Sequence, residues 1–180
     1  QPPGQLGVSQ GDVGPACRER DDTEQTGDQQ HGTADQQSAG GEDEFTVQAG
    51  TRWRQIQERI DPADLAVAIM QSYADFTVGG SLSVNVHGRY IGLGPVVLSV
   101  RDIKLVLADG SERRASPTEN PELFYGAIGG YGGLGVITEV TLELAENVRV
   151  KRTDRRMSLG EYAEWFRTNV RDSANVIFHN

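Results

Sequence analysis

Apolar residues alternate with polar ones in three stretches of the chain, EFTVQAG from Glu44, IKLVLA from Ile103 and VITEVTLEL from Val136. Alternation with period two is typical of strands that bury one face. Elsewhere apolar residues recur at helical spacing, in WRQIQERI from Trp53 and in the segment that follows Ser158. The pattern therefore predicts both strands and amphipathic helices.

Turn and capping residues indicate where these elements begin and end. The first helix ends where Asp61 precedes Pro62, because the residue before a proline disfavours helical angles. Asp109 with Gly110 predicts a hairpin whose second strand contains ERRAS. The expected helix caps are Thr51 for the first helix, Asn120 with Pro121 for the second, and Ser158 with Glu161 as a capping box for the third.

Three further stretches have weaker patterns. The run LAVAIMQSY fits a buried strand or a helical turn, and we predict a strand. The segment GRYIGLGPVVLSV, from Gly88 to Val100, is rich in glycine and predicts a loop. The run NVIF near the end of the chain looks like part of a strand. Trp53 belongs to a helical stripe with Ile56 and Ile60, so we expect it in the core rather than as a ligand platform.

The segment FTVGGSLSVNVHG, residues 76–88, contains the first of two glycine clusters. Adjacent glycines allow a backbone to approach a flat or anionic ligand closely, and they also occur at bulges in buried strands. Both interpretations remain open from the residues alone. In an extended segment the polar residues would line one edge, and these are Ser81, Ser83, Asn85 and His87.

The second cluster, GGYGGLG, contains a formal GxGxxG at Gly130, Gly132 and Gly135. A dinucleotide site of the Rossmann type requires a strand before these glycines and a helix after them. Here the predicted helix comes first and the strand follows, so we reject a Rossmann site. Instead, a glycine turn leads into a strand whose first residues, Val136 and Ile137, can present backbone groups to a neighbour.

Charge divides the chain into unlike parts. Residues 1–44 contain ten acidic and two basic residues, which accounts for −8 of the net charge of −9. This segment contains no aromatic residue and few aliphatic ones, so it cannot bury enough surface to fold, and we predict that it is disordered. Cys17, which lies in it, is the chain's single cysteine and excludes an internal disulfide.

Several classes of function have no signal. The chain has no apolar run of about 18 residues and no signal peptide pattern, so we expect no transmembrane helix and favour the cytoplasm. KRTDRR, residues 151–156, is too short and interrupted to indicate nucleic-acid binding. The histidines His31, His87 and His179 form no metal-binding pattern.

The order of these features resembles that of FAD-linked oxidases of the vanillyl-alcohol oxidase and p-cresol methylhydroxylase type. The resemblance covers about residues 45–150 and rests on GTRWRQIQERI, TVGGSLSVNVHG, LVLADG and ENPELFYGAIGGYGGLGVITEVTLEL. It implies an α+β FAD-binding subdomain, with a mixed or antiparallel sheet flanked by helices. It also implies FAD as cofactor and a small alcohol or sugar as substrate.

The resemblance implies a set of cofactor contacts, namely Ser72, Thr77, Val78, Gly79, Gly80, Val84, Asn85, Val86, His87, Gly88, Val136 and Ile137. Residues 77–80 would donate backbone N–H groups to the diphosphate, and residues 84–87 would continue towards the flavin ring. Val136 or Ile137 would make main-chain contacts with the adenine end or the ribityl chain. His87 would contact the cofactor or orient the substrate. No catalytic base is identifiable, and we expect Glu139 and Glu143 to face solvent.

The chain also departs from the family, whose members carry a first flavin subdomain with an RGxGHS-like phosphate loop that residues 1–44 do not resemble. We therefore expect a tail over residues 1–44, the second FAD subdomain over residues 45–150, and the start of a substrate domain over residues 151–180. The predicted function is that of the FAD-binding part of an oxidoreductase acting on CH–OH groups. The alternatives are a non-catalytic module that binds FAD poorly or only with a partner chain, and an incomplete product with an exposed core.

Overall fold

The computed structural model describes residues 44–179, and the predicted disordered tail, with Cys17 and His31, lies outside them apart from Glu44. The α+β class is confirmed. The helices and strands of the described part are β1 (Glu44–Gln48), α1 (Trp53–Ile60), β2 (Leu65–Val67), α2 (Val78–Ser83), β3 (Val100–Val106), β4 (Glu112–Ala115), α3 (Pro121–Ala127), β5 (Val136–Glu146) and α4 (Leu159–Phe166). Short 3-10 turns lie at Asp61–Ala63 and Val96–Ser99, and a π-helical turn extends α4 over Arg167–Arg171.

The sheet is antiparallel and is built around β5. Its strand order is β1-β5-β3-β4, and β2 pairs separately with the C-terminal end of β5. One row across the sheet aligns four buried side chains, Val47, Val140, Ile103 and Ala115. The strands predicted from period-two patterning are therefore confirmed. The aligned apolar residues of this row form the centre of the core.

The opposite face of the sheet is charged. Arg101 forms ion pairs with Glu143 at 3.2 Å and with Glu44 at 3.4 Å, and Lys104 pairs with Glu112 at 2.9 Å. Glu139 and Glu143 alternate with the buried Val140 and Leu142, so they lie on this charged face. The structure thus places both glutamates away from the core, as the alternation predicted.

Trp53 holds α1 against the rest of the domain. Its side chain is fully buried, with Ile56 and Ile60 on the same helical face. Its Nε1–H donates to Ser81 Oγ at 2.8 Å, which joins α1 to α2. The predicted core role of Trp53 is confirmed.

The helix caps were predicted with mixed success. The N-cap of α1 is Arg52 rather than Thr51, because the carbonyl of Thr51 instead accepts the N–H of Val78 at 2.8 Å. α3 begins at Pro121 after Asn120 as expected, although Asn120 caps it without a side-chain hydrogen bond. The capping box of α4 is confirmed, since Ser158 N–H donates to Glu161 Oε2 at 3.0 Å and Glu161 N–H to Ser158 Oγ at 3.4 Å.

Two loops contain more structure than the sequence predicted. The glycine-rich segment after Gly88 ends in the 3-10 turn Val96–Ser99, and β3 begins at Val100 rather than at Ile103. Near the end of the chain, Ile91 N–H donates to Ile177 O at 2.9 Å and His179 N–H to Arg89 O at 3.1 Å. The NVIF segment therefore pairs with the loop that follows the first glycine cluster. The LAVAIMQSY run forms a strand only over Leu65–Val67.

Candidate functional site

The first glycine cluster forms a short helix, α2. Thr77 is its N-cap, and Thr77 Oγ1 accepts the N–H of Gly80 at 3.2 Å. Val78 and Leu82, four residues apart, are both fully buried. The cap and this apolar pair outweigh the low helix propensity of two glycines.

The extended edge predicted for the polar residues of this segment is therefore wrong, and so is the alternative of a bulge in a strand. Positions 81 and 83 point in different directions on a helix, and Ser81 is buried whereas Ser83 is half-buried. Ser81 accepts from Trp53 Nε1 and can donate its single proton to Gln71 Oε1 or to Thr77 O, each at 2.9 Å. The hydrogen bonds of the Ser81 hydroxyl thus stabilise the fold.

The glycine at position 79 is required by packing within the chain. A Cβ on Gly79 would lie 2.8 Å from Ala49 Cβ and 3.0 Å from Ala49 O. The N–H of Gly79 also donates to Ala49 O at 2.8 Å. With Val78 N–H bound to Thr51 O, both amides are already in use, so these two residues are held by the fold rather than left open to a ligand.

Gly80 lies in a different environment from Gly79. It is exposed, and a Cβ at this position would meet only Thr77 Oγ1, at 3.0 Å. Among the described residues, its amide donates to the hydroxyl of the half-buried Thr77. Of the two adjacent glycines, Gly80 is the one whose missing side chain leaves room for something outside the described chain.

The turn after α2 is fixed by Asn85. Its backbone is left-handed, with φ of 46°, a conformation that asparagine tolerates better than most residues. Its Oδ1 accepts the N–H of Val97 at 3.2 Å, and next to it Val86 O accepts the N–H of Val96 at 2.7 Å. Asn85 therefore holds the first glycine cluster against the 3-10 turn, while Val84, the C-cap residue of α2, remains exposed.

Replacing Asn85 by alanine is expected to lower the free energy of unfolding by about 1–3 kcal/mol, because it loses the acceptor for Val97 N–H and strains a left-handed position. Asn85→Gly is the matched control, since glycine removes the same acceptor without the strain. Urea denaturation followed by far-UV circular dichroism measures both. Equal losses in the two variants would contradict the role of the left-handed backbone.

At the end of the motif, Gly88 is packed from two sides. A Cβ there would lie 2.5 Å from Met70 O and 2.5 Å from the Tyr90 ring. Burial raises the pKa of the Tyr90 phenol, and its ring lies 4.7 Å from that of Phe178.

His87 itself is exposed, with Nδ1 3.0 Å from Gly88 O, so a proton on Nδ1 leaves Nε2 as a free acceptor at the surface.

The second glycine cluster docks on the C-terminal end of α2. Gly129 N–H donates to Leu82 O at 2.8 Å, and Tyr131 N–H donates to Ser83 O at 3.0 Å. Gly129 has φ of 86°. A Cβ on Gly129 would lie 3.2 Å from Asn85 Cβ, so this contact also requires glycine. The two clusters, residues 76–88 and 129–135, thus form one surface although they are distant in the chain.

A single residue that sequence reasoning missed, Ala49, joins the first cluster to the start of β5. Ala49 O accepts from Gly79 N–H, and Ala49 N–H donates to Thr138 O, each at 2.8 Å. Thr138 follows Ile137, which is partly buried, whereas Val136 is exposed at the first position of β5. An alanine in a turn has no side-chain chemistry that could have revealed this link.

Ser72 and a surface depression lie outside the two glycine clusters. Ser72 is exposed in the irregular segment before α2. A surface depression of about 280 Å³ lies on the charged face of the sheet, lined by Lys104, Glu112, Arg113, Arg114 and Glu139. Over residues 44–179 no group of three or more His, Cys, Asp or Glu side chains is arranged to hold a metal ion, and no helix there is long and apolar enough to cross a membrane.

Comparison with known families identifies the part of the chain that contains the first glycine cluster. Residues 35–116 match the family described as FAD binding domain. This segment belongs to that family. The match identifies FAD as the cofactor, and the predicted resemblance to FAD-linked oxidases is confirmed.

Curated relatives of the chain include proteins named as oxidases and dehydrogenases. An alditol oxidase from Streptomyces sp. is 37% identical over 98 residues, which cover 54% of this chain and 23% of the relative. Cytokinin dehydrogenase 8 of Oryza sativa subsp. indica is 35% identical over 112 residues, covering 58% and 21%. L-galactono-1,4-lactone dehydrogenase of Arabidopsis thaliana is 38% identical over 98 residues, covering 54% and 16%. The matched part is about a fifth of the length of these relatives.

Proposed function

We propose that this chain binds FAD as the cofactor-binding part of a flavin-dependent oxidoreductase that oxidises a CH–OH group of an alcohol or sugar-type substrate. The observation that carries the proposal is that the FAD binding match, residues 35–116, contains the whole of the first glycine cluster. The relatives named as an alditol oxidase and a galactonolactone dehydrogenase support this class of substrate.

The surface of the two glycine clusters fits a cofactor of this kind. Gly80, Gly132 and Gly133 are all exposed, so the backbone can be approached there without a side chain in the way. The nearest atom to a Cβ on Gly132 would be Gly135 O, at 4.0 Å. These glycines leave backbone accessible in both clusters, which suits the approach of a diphosphate or a flat ring.

Within this site we assign different roles to the residues of the first cluster. Gly80 is the point of closest approach, and Thr77 positions it through the hydroxyl that its amide already contacts. Val78 and Gly79 support the site from inside, because their amides are bound to Thr51 O and Ala49 O. Val84 and His87, both exposed, continue the contact surface, and Asn85, Val86 and Gly88 hold the turn that presents them.

At the other end of the site, we assign the exposed Val136 a contact with FAD, and Ile137 supports Val136 from the core. Ser72, before α2, contacts FAD at the edge of the site. We also retain the division into an FAD subdomain at residues 45–150 and a further segment at residues 151–180. FAD, when bound, supplies the hydride acceptor for oxidation of the substrate carbon. The chain's own residues bind and orient FAD. His87 Nε2 is available to accept a hydrogen bond from a substrate hydroxyl.

The proposal is tested by titrating the chain with FAD while following the quenching of flavin fluorescence and the shift of its visible absorbance bands. Saturable binding is the expected result, with far-UV circular dichroism showing that the chain is folded. A folded chain that leaves both signals unchanged would contradict the proposal. That outcome would favour a module that completes its FAD site only with a partner, an alternative supported by the internal bonding of the Val78 and Gly79 amides.

A further inference from the structure

Tyr131, in the middle of the second glycine cluster, has an unusual backbone conformation. Its φ is 53°, in the left-handed region that a large side chain seldom adopts. On either side of it are Gly130 and Gly132, which could take this conformation at no cost. A strained position held by an aromatic residue in a loop of glycines suggests a function for the ring.

The ring of Tyr131 has no partner among residues 44–179. It is 79% exposed. All five tyrosines of the chain lie in this range, and the other four each contact another aromatic ring. Those contacts are Tyr73 with Phe76, Tyr90 with Phe178, Tyr125 with Phe124 and Tyr162 with Phe166, at 4.7 to 5.8 Å between centroids. Both faces of the Tyr131 ring are therefore available.

The backbone of Tyr131 is nevertheless fixed. Tyr131 N–H is bound to Ser83 O, and the neighbouring Gly133 N–H is bound to Gly130 O at 2.9 Å. These bonds hold the base of the side chain beside the C-terminal end of α2, next to the exposed Val84. An aromatic side chain that is anchored at its base and open on both faces needs little ordering when a flat ligand stacks on it.

We propose that Tyr131 is a stacking residue for one of the heteroaromatic rings of FAD, an inference that rests on the function proposed above. The ring belongs either to the adenine or to the flavin, and both present the flat π-face that stacks well on tyrosine. Stacking also accounts for a tyrosine where glycine or asparagine would fit the backbone with less strain.

The first test compares FAD affinity in the unmodified chain with that in Tyr131→Asn and Tyr131→Phe. Asparagine tolerates the left-handed backbone but lacks a ring, so the Kd for FAD is expected to rise about tenfold to hundredfold. Tyr131→Phe keeps the ring and is expected to bind FAD within about threefold of the unmodified chain. Tyr131→Asn that binds FAD as tightly as the unmodified chain would overturn the inference while leaving the proposed function intact.

The second test uses FMN and ADP to separate the two rings. If Tyr131 stacks on adenine, Tyr131→Asn weakens binding of FAD and ADP and leaves FMN unchanged; if it stacks on the flavin, FAD and FMN are weakened and ADP is unchanged. Equal weakening for all three ligands, shared by Tyr131→Phe, would indicate a collapsed loop and would overturn the inference. An unmodified chain that binds no FAD would overturn the proposed function and this inference together.

Discussion

Replacing Trp53 by alanine is expected to lower the free energy of unfolding by about 3–5 kcal/mol, a large share of what a domain of this size has. The side chain is fully buried, and its removal leaves a cavity in the core. It also takes away the donor to Ser81 Oγ, the contact that joins α1 to α2. Urea denaturation followed by far-UV circular dichroism measures the loss without relying on tryptophan fluorescence.

Trp165 supplies a matched control, because it is the chain's second tryptophan and is only half-buried, on α4. Trp165→Ala is expected to cost less than half as much as Trp53→Ala. Trp53→Phe keeps most of the volume and loses the N–H donor, so it is expected to fall between Trp53→Ala and the unmodified chain. A Trp53→Ala variant as stable as Trp165→Ala would show that α1 is not held by this side chain.

Replacing Gly80 by valine is expected to raise the Kd for FAD about hundredfold while leaving the fold intact. The new side chain would project from the exposed surface of α2, where only Thr77 Oγ1 lies close, at 3.0 Å from its Cβ. Valine has at least as high a helix propensity as glycine, so the helix itself is not expected to suffer. Flavin fluorescence quenching gives the Kd, and urea denaturation gives the stability.

Two further glycine variants show whether the effect belongs to this site. In Gly160→Val the same substitution falls in the first turn of α4, where a Cβ meets nothing within 4 Å, and both binding and stability are expected to be unchanged. Gly79→Ala is expected to lower stability by about 1–3 kcal/mol, because its Cβ meets Ala49. Unchanged FAD affinity in a folded Gly80→Val variant would remove Gly80 from the site.

Strands and capped helices were predictable from the sequence because their signals are local. The alternation from Val136 and the capping box at Ser158 each involve neighbours in the chain, and both appear in the structure as expected. The hairpin at Asp109 and Gly110 is equally local, with Gly110 at a φ of 78°. The fold class and the cofactor were implied by the resemblance of this order of features to that of FAD-linked oxidases.

The conformation of the first glycine cluster was not predictable in the same way. Six helical residues carry little periodic signal, and two glycines argue against a helix. What decides the conformation is distant in sequence, since Trp53 reaches Ser81 and Ala49 reaches Gly79. The different environments of Gly79 and Gly80 could not be predicted from the sequence GG, because they depend on which neighbour each Cα faces.

The turn at Ala49 and Gly50 also constrains how the chain can change in length. Ala49 binds Gly79 with its carbonyl and Thr138 with its amide, so its peptide groups link the first glycine cluster to the start of β5, the two ends of the proposed cofactor surface. An inserted residue between β1 and α1 would shift one bond relative to the other. At the hairpin tip a Cβ on Gly110 meets nothing within 4 Å, and the backbone hydrogen bonds of the described residues there are local, from Gly110 N–H to Leu107 O and from Leu107 N–H to Ser111 O. Insertions and deletions should therefore be accepted at the hairpin and rejected at the turn.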